Sequence, residues 1–548
     1  MAYVVELNGV DPSDGVAKTK VFSLGAGYAF TDSTFAPTGL MSWRSPTQKI
    51  DVSREGGVAL SSDAGQIVIA NTPADITSAG PWDVLRTWAW HGRRANLYYT
   101  ADTWANRVLI ATGTLQQPVA VLNVGGSSIA SSFQFPLRDP RSPLSAPLQP
   151  TKYLGNNTAG SGVEGDSDLK SKPKPVLYGV VSNIPGVLVC KEKAIWQLAD
   201  KAAGVLCARE GGAAFTAGTA RGSLASMLST TPAAGTYDTY AGSEGTFVRL
   251  CNPTAQYPVT FDAYEGATTA DRTHAQIWKR IRTERCDNVA GDINGASVTA
   301  TDVLAPNEVG FWFNEETTRL DVINEVLTSL SGYEVLGFDS DWYIAQLVAP
   351  SGTTVLDFLT LTPTSTLKTK SRPISGLTMA RPGFAPDGCP PYRVNVNWGK
   401  NYTIMNRSEF VGGMAVQAPR LIDKFALEFR TETAINTAIW NPTTAVGPYP
   451  QAPLLTVNTG YQPGADNLTC PHAATEATRL LTLYSAMPGQ FQLEFIPKST
   501  DRVLPGDVVS VTYAQMGLTG GPLFRVLHAG WFLDDKGPQA TLVVGFQT

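Results

Sequence analysis

The sequence predicts a mainly β, multidomain chain with an α+β region in its middle. Three observations carry this. Charged residues make up only 16% of the chain, which also holds 51 glycines and 37 prolines. Short apolar or alternating runs recur between Gly, Asn and Asp turns, the pattern of strands joined by tight connections. Helical periodicity is confined to a few stretches. At 548 residues the chain is long enough for three or four units, each with its own core.

The first 150 residues read as a β-barrel-like unit. "KTKVFSLGAGYAF", "QKIDVS", "GQIVIAN", "ANLYYTAD", "RVLIATGTL" and "VAVLNV" are candidate strands, and their spacing suits a barrel or sandwich. Among them, residues 81–90 suggest a short helix with Trp82, Leu85, Trp88 and Trp90 on its apolar side, ended by Gly92 and placed to cap a barrel mouth. Residues 138–175 are rich in Pro and Gly and almost devoid of apolar period, so 151–175 reads as an extended linker or arm. "PVLYGVVSNIPGVLV" restarts apolar β structure near Pro175.

An α+β unit is expected over 176–370. "TTRLDVINEVLTSLSGY" places Leu320, Ile323, Leu327 and Leu330 on one helical face, with Gly332 positioned as the stop; "TADRTHAQIWKRIRTER" at 269–285 is a second helix. "YEVLGFDSDWYIAQLVAP" reads as a hairpin about Asp339 to Asp341, packed on the preceding helix. Residues 371–548 are expected to form a C-terminal β-rich, barrel-like unit. In it, Val394, Val396 and Trp398 alternate with Arg393, Asn395 and Asn397, leaving one face for solvent or a partner. Ala473, Ala477, Leu480, Leu481 and Tyr484 form a helical stripe broken at Pro488-Gly489, and "FQLEFI", "DVVSVTY", "LFRVLHAGWFL" and "ATLVVGF" follow as strands.

Composition excludes several classes of function. The chain has 42 basic and 47 acidic residues, a net charge of −5, and no basic cluster of the kind that grips duplex nucleic acid. The opening "MAYVVELNGVDPSDG" lacks the basic and apolar regions of a signal peptide, and no apolar run approaches the ~20 residues of a spanning helix, so a soluble chain made in a cytoplasm is expected. Cys190, Cys207, Cys251, Cys286, Cys389 and Cys470 are widely spaced with no CxxC pair, as small buried thiols are.

Candidate chemistry is sparse. His91, His274, His472 and His528 fall in different elements and in no metal-binding pattern. No G-x-S-x-G elbow occurs, "VGGSSIASS" being a turn, and "GAGYAF" and "GLTGGP" lack the lysine and helix of a phosphate loop. The close carboxylate pairs Glu315/Glu316, Asp339/Asp341 and Asp534/Asp535 are better explained by a helix's opening turn and by two loops than by glycoside cleavage. Twelve tryptophans, some in "TSAGPWDVLRTWAW" and "AIWNPTTAVGPYPQAP", could be sugar platforms, interface anchors or ordinary core. No catalytic, cofactor-binding or metal-binding residue is assigned, and no enzyme activity is expected.

Four stretches in order resemble the baseplate hub, or tail-tip, proteins of long-tailed bacteriophages. They are "DAGQIVIANTPADITS...WDVLRTWAWHGRRANLYY", similar to an L-x-N-x-D-G...G-R element; "KPKPVLYGVVSNIPGVLV", similar to a Pro-x-x-Tyr-Gly-x-x-x-Asn-x-x-Pro stretch; the helix and hairpin of 316–350; and "ATEATRLLTLY...VLPGDVVSVTYAQMGLTGGPLFRVLHAG". This sequence departs from the pattern at Asn71, followed by Thr72-Pro73 instead of Asp-Gly, and over 208–265, rich in Gly, Ala and Thr. The resemblance implies a virion structural protein with no cofactor: a homotrimer whose two barrels per chain make a pseudo-sixfold ring. That ring would join the tail tube or distal tail protein to fibre or tip-spike proteins, meet the tape-measure protein, and let DNA pass through its lumen without specific binding. The arm at 151–175 would then run along a neighbouring subunit, with Lys170, Lys172 and Lys174 near its acidic surface. Two other readings stand beside this one. One is a tail-associated carbohydrate-binding or glycan-depolymerising protein; the other is a chain whose thiols gather around iron on folding.

Overall fold

A computed structural model describes residues 2–547 except 26, 30–34, 46, 53–57, 64, 74–77, 101–102, 126–127, 159, 253–254, 361–367, 382–388, 415–418, 464–468, 486–488 and 499. The expected break at Pro488 and parts of the "GAGYAF" and "VGGSSIASS" turns lie outside the described residues. Strands dominate, as composition predicts.

Ala2–Val10 pairs with Ala17–Leu24, which pairs in parallel with Thr38–Arg44, and the hydrogen bonding passes on to Gly65–Ala70. From there it runs through Ser128–Arg138, Val108–Leu115 and Arg94–Thr100 back to Ala2–Val10, a closed circuit. Alternation builds it: Val5, Leu7, Phe22, Trp43, Ile67, Ile69, Leu97, Phe133 and Phe135 are all buried. The helix expected at 81–90 is only a 3-10 turn, Asp83–Thr87, because Trp88 already turns extended at ψ 151°. Its aromatics fill the circuit: Trp90 stacks on Trp88 at 5.5 Å and meets Phe135 edge-on at 5.2 Å, while its Nε1 donates to Leu85 O at 2.7 Å.

The C-terminal strands trace a second circuit. Leu356–Leu359 pairs in parallel with Ser371–Pro373; the chain continues into Gly376–Arg381, which pairs with Gln490–Phe495. The order then runs through Gly537–Gly545, Leu523–Asp534 and Val508–Thr512 back to Leu356–Leu359. The boundary expected at residue 370 is therefore not where the sheets divide, since the parallel strand before it belongs to this circuit. Residues 393–485 form an excursion from it that packs elsewhere.

The excursion supplies a sheet ordered Arg430–Ile435, Arg393–Trp398, Leu454–Asn458, and the helix Pro471–Ser485. The alternation read at 393–398 is observed, with Val394, Val396 and Trp398 buried. These side chains join one apolar core with the helices His274–Arg285 and Arg319–Leu330 and the hairpin Gly332–Leu336/Trp342–Gln346. Thr273 caps the first helix by accepting from Gln276 N, and Thr318 with Asp321 forms a capping box on the second. The second helix ends one residue earlier than expected, with Ser331 taking the left-handed turn at φ 51°. Gly332 is instead the hairpin's first residue, where a Cβ would lie 2.6 Å from Ala345 O. A further helix, Gly295–Leu304, was not legible in its Thr- and Val-rich sequence and is held by Asn294 as N-cap.

Residues 176–264, with Gly310–Phe313, make two five-stranded sheets around a separate core that includes Leu177, Val181, Trp196, Leu198 and Phe261. The segment 151–175 has almost no regular structure, yet it folds onto its own chain. Tyr153 is buried and donates from its hydroxyl to Gln197 Oε1 at 2.6 Å; Val163 packs in the same cluster as Val189, Cys190 and Met227. Backbone bonds Tyr153 N to Lys172 O and Gly155 N to Glu164 O tie the loop to itself. Proline and glycine content hid this packing because two or three anchored side chains suffice to order a loop whose backbone bonds are met internally.

Candidate functional site

The residues singled out in the sequence are not brought together. His91 is an exposed turn residue whose Nε2 lies 3.5 Å from Arg138 Nη1. His472 is exposed in the first turn of its helix, and His528 sits in a strand opposite Lys49. His274 is wholly buried: its Nε2 lies 2.7 Å from Ser329 Oγ, which also accepts from Gly460 N at 2.8 Å. Burial pushes this imidazole down to about 3, so it is neutral. The pair has the residue types of a hydrolytic dyad, but Phe311 and Tyr461 enclose the ring and Ser329 is itself buried.

Asp339 accepts from Asp341 N at 3.1 Å and from the Tyr343 hydroxyl, and Asp534 accepts from Lys536 N at 2.8 Å; both pairs act in turns. Glu315 and Glu316 precede the helix they were expected to open, whose first-turn carboxylate is Asp321; Glu316 pairs with Lys152. None of the six cysteines forms a disulfide, and among the described residues no three His, Cys, Asp or Glu side chains gather as a metal site. Trp88 and Trp90 are core residues, not platforms. Of the arm lysines, Lys174 meets Glu164 at 2.7 Å within its own chain, while Lys170 and Lys172 are exposed.

What the fold does build is a junction. The long strand Leu523–Asp534 pairs with its own circuit along its length and also reaches the first: Phe532 opposes Arg44, Leu533 opposes Trp43, and His528 and Ala529 oppose Lys49 and Gln48. Ser45 N donates to Trp531 O at 3.0 Å. Apolar packing is continuous across this seam, from Val5 and Trp43 to Phe358, Leu533 and Val544. The middle unit closes on the seam through Gln48, whose amide bonds the backbone of Leu336.

Charge inside the middle unit is neutralised locally. Glu334 and Arg282 are both buried and paired; Trp278 Nε1 donates to Glu334 Oε2 at 2.7 Å, and the guanidinium lies 3.8 Å from the Trp342 ring centroid. In the second circuit Arg372 and Asp501 form an equally buried pair. Neither pair could be read from the sequence, where the partners lie 52 and 129 residues apart. The only local signal is an arginine four residues after Trp278 on a helix face that is otherwise core.

Family models give no match, and neither do curated proteins. Solved structures do. The chain is similar to the 43 kDa tail protein of prophage MuSo2 from Shewanella oneidensis, at 9% identity and a TM-score of 0.42, over 99% of this chain and 98% of that one. It is similar to a tail protein from Neisseria meningitidis, at 9% identity and a TM-score of 0.40, over 100% of this chain and 96% of that one. A chain in the virion of a native gene transfer agent particle matches at 11% identity and a TM-score of 0.42, over 69% of this chain and 85% of that one. These are tail and virion proteins, the class that the sequence motifs resemble.

Proposed function

We propose that the chain is a structural component of a phage tail, acting as the hub at the tail tip. The observation that supports this reading is the pair of strand circuits in one chain, joined through Leu523–Asp534. Two barrel-like units per chain are what a threefold assembly needs to present six to a tube end. On this reading three copies form a ring that joins the tail tube or distal tail protein to fibre or spike proteins, with the tape-measure protein above it and DNA passing through the lumen. The net charge of −5 suits a channel that must not bind DNA. No chemistry is required of the chain. The carbohydrate reading gains nothing from Trp88 and Trp90, which lie in the core.

The test is the native mass of the purified chain by light scattering across concentrations, with negative-stain imaging of the same sample. A three-chain ring with a central hole is expected. A monomer at every concentration, together with release of reducing ends from host polysaccharide, would overturn the hub reading in favour of the glycan one.

A further inference from the structure

We propose that the cavity at the junction binds a carboxylate or phosphate group carried on a flat apolar body. The cavity, about 240 Å³, lies where the first circuit, the second circuit and the middle hairpin meet. Its first wall is a row of three residues on neighbouring strands: Thr114 opposes Arg94 on one side and Arg138 on the other. Residues directly opposite on a sheet share a face, so both guanidinium groups stand on the cavity side of the strands, their Cα atoms about 10 Å apart with the Thr114 hydroxyl between them.

Two like charges in one row repel, and no ion pair offsets them among the described residues. Arg94 has no side-chain partner among the described residues, and the partner of Arg138 is the His91 ring at 3.5 Å, which carries no negative charge. The one carboxylate in the lining, Asp292, is turned to its own loop, accepting from Val289 N at 2.9 Å. The row therefore presents two planar donor forks, in ion pairs with no described neighbour and outnumbering the single lining carboxylate, the arrangement that recognises carboxylate or phosphate.

The facing walls are of the opposite character. Trp342 and Trp531 are more than nine-tenths buried yet edge the cavity, and Phe338 lies beside them. The volume accepts one aromatic ring with its acidic group and excludes a folded macromolecule. Such an occupant touches all three parts of the molecule, so binding would brace the junction. The shared chemistry could come from a free small anion or from the carboxylate end of a partner's chain.

The full chain would be titrated with benzoate, phenyl phosphate, and a short peptide ending in Phe with a free or amidated terminus, following tryptophan emission and melting temperature. Expected is a saturable emission change and a raised melting temperature with each anion and none with benzyl alcohol. Affinity should fall about tenfold or more in R94Q/R138Q. The single R94Q, at an exposed position, should fall by less and provides a variant whose fold is not in question. A free-terminus peptide binding more tightly than benzoate assigns the site to a partner's chain end; the reverse order assigns it to a small anion. No saturable response up to about 10 mM, or unchanged affinity in the natively folded arginine variants, overturns the proposal.

Discussion

Gln48 grips the backbone of Leu336 with both ends of its amide, Nε2 donating to the carbonyl at 3.0 Å and Oε1 accepting from the N–H at 2.9 Å. The two residues lie 288 apart in sequence. One belongs to the strand Thr47–Val52, which follows Thr38–Arg44 of the first circuit, the other to the hairpin of the middle unit, so a single side chain imitates one more strand pairing between them, beside Ile50, which is buried in the middle unit's core.

Gln48→Leu keeps much of the volume and leaves both Leu336 backbone groups without their partner. Because the site is half-buried, part of the loss is recovered by water, and a cost of about 1–2 kcal/mol is expected. Gln48→Glu keeps the acceptor and loses the donor, so it should fall between. Chemical denaturation of the three proteins checks the order; equal stability of Gln48→Leu and wild type would show that the clamp contributes nothing.

The Arg282–Glu334 pair gives a sharper prediction. Glu334→Ala strands a buried guanidinium and removes the acceptor of Trp278, at a cost of about 3–5 kcal/mol. The double variant Arg282→Met with Glu334→Leu removes both charges and should recover at least half of that loss. A double variant no more stable than Glu334→Ala would mean that the pair contributes more than its desolvation costs.

The contrast between these sites and the strands shows what sequence carries. Period-two alternation is local, so 393–398 and the four C-terminal strands are legible in the residue pattern alone, and so is the helix around Ile323 and Leu327. Strand partners are non-local. Nothing in "LFRVLHAGWFL" says that Phe532 will oppose Arg44, and nothing after Gly376–Arg381 says that 393–485 will leave the circuit before the chain returns to it. The junction cavity is hidden from the sequence for the same reason, since Arg94 and Arg138 become neighbours only through Thr114.

The segment 151–175 illustrates the opposite error. Read as an arm, it should be removable without harm to any folded unit. Its buried Val163 and the Lys174–Glu164 pair instead predict that deleting 155–172 lowers the melting temperature of the chain itself. Val163→Asp alone should cost about 2–3 kcal/mol by burying a charge among Tyr153, Val189 and Met227. Thermal unfolding at concentrations where the native mass is unchanged separates this from an effect on assembly.

Two buried groups set opposing pH dependences. His274 is held down to about 3 by burial, so between pH 6.5 and 3 the unfolded chain takes up a proton that the folded one refuses, and stability falls as pH falls. Asp507 is pushed up to about 6, chiefly by burial, with Leu504 N donating to it and Arg525 partly offsetting the rise. Its folded form holds a proton that the unfolded chain has released, so between about pH 4 and 6 stability falls as pH rises. Over that window the two contributions oppose each other. Asp507→Asn keeps an oxygen acceptor for Leu504 N and removes one slope. The variant should gain about 1–2 kcal/mol at pH 7, and its stability should climb from pH 4 to 6 by about 1 kcal/mol per unit. Urea midpoints across pH 4 to 7.5 check both statements. Parallel profiles for variant and wild type would show that Asp507 titrates in the folded chain as it does in the unfolded one.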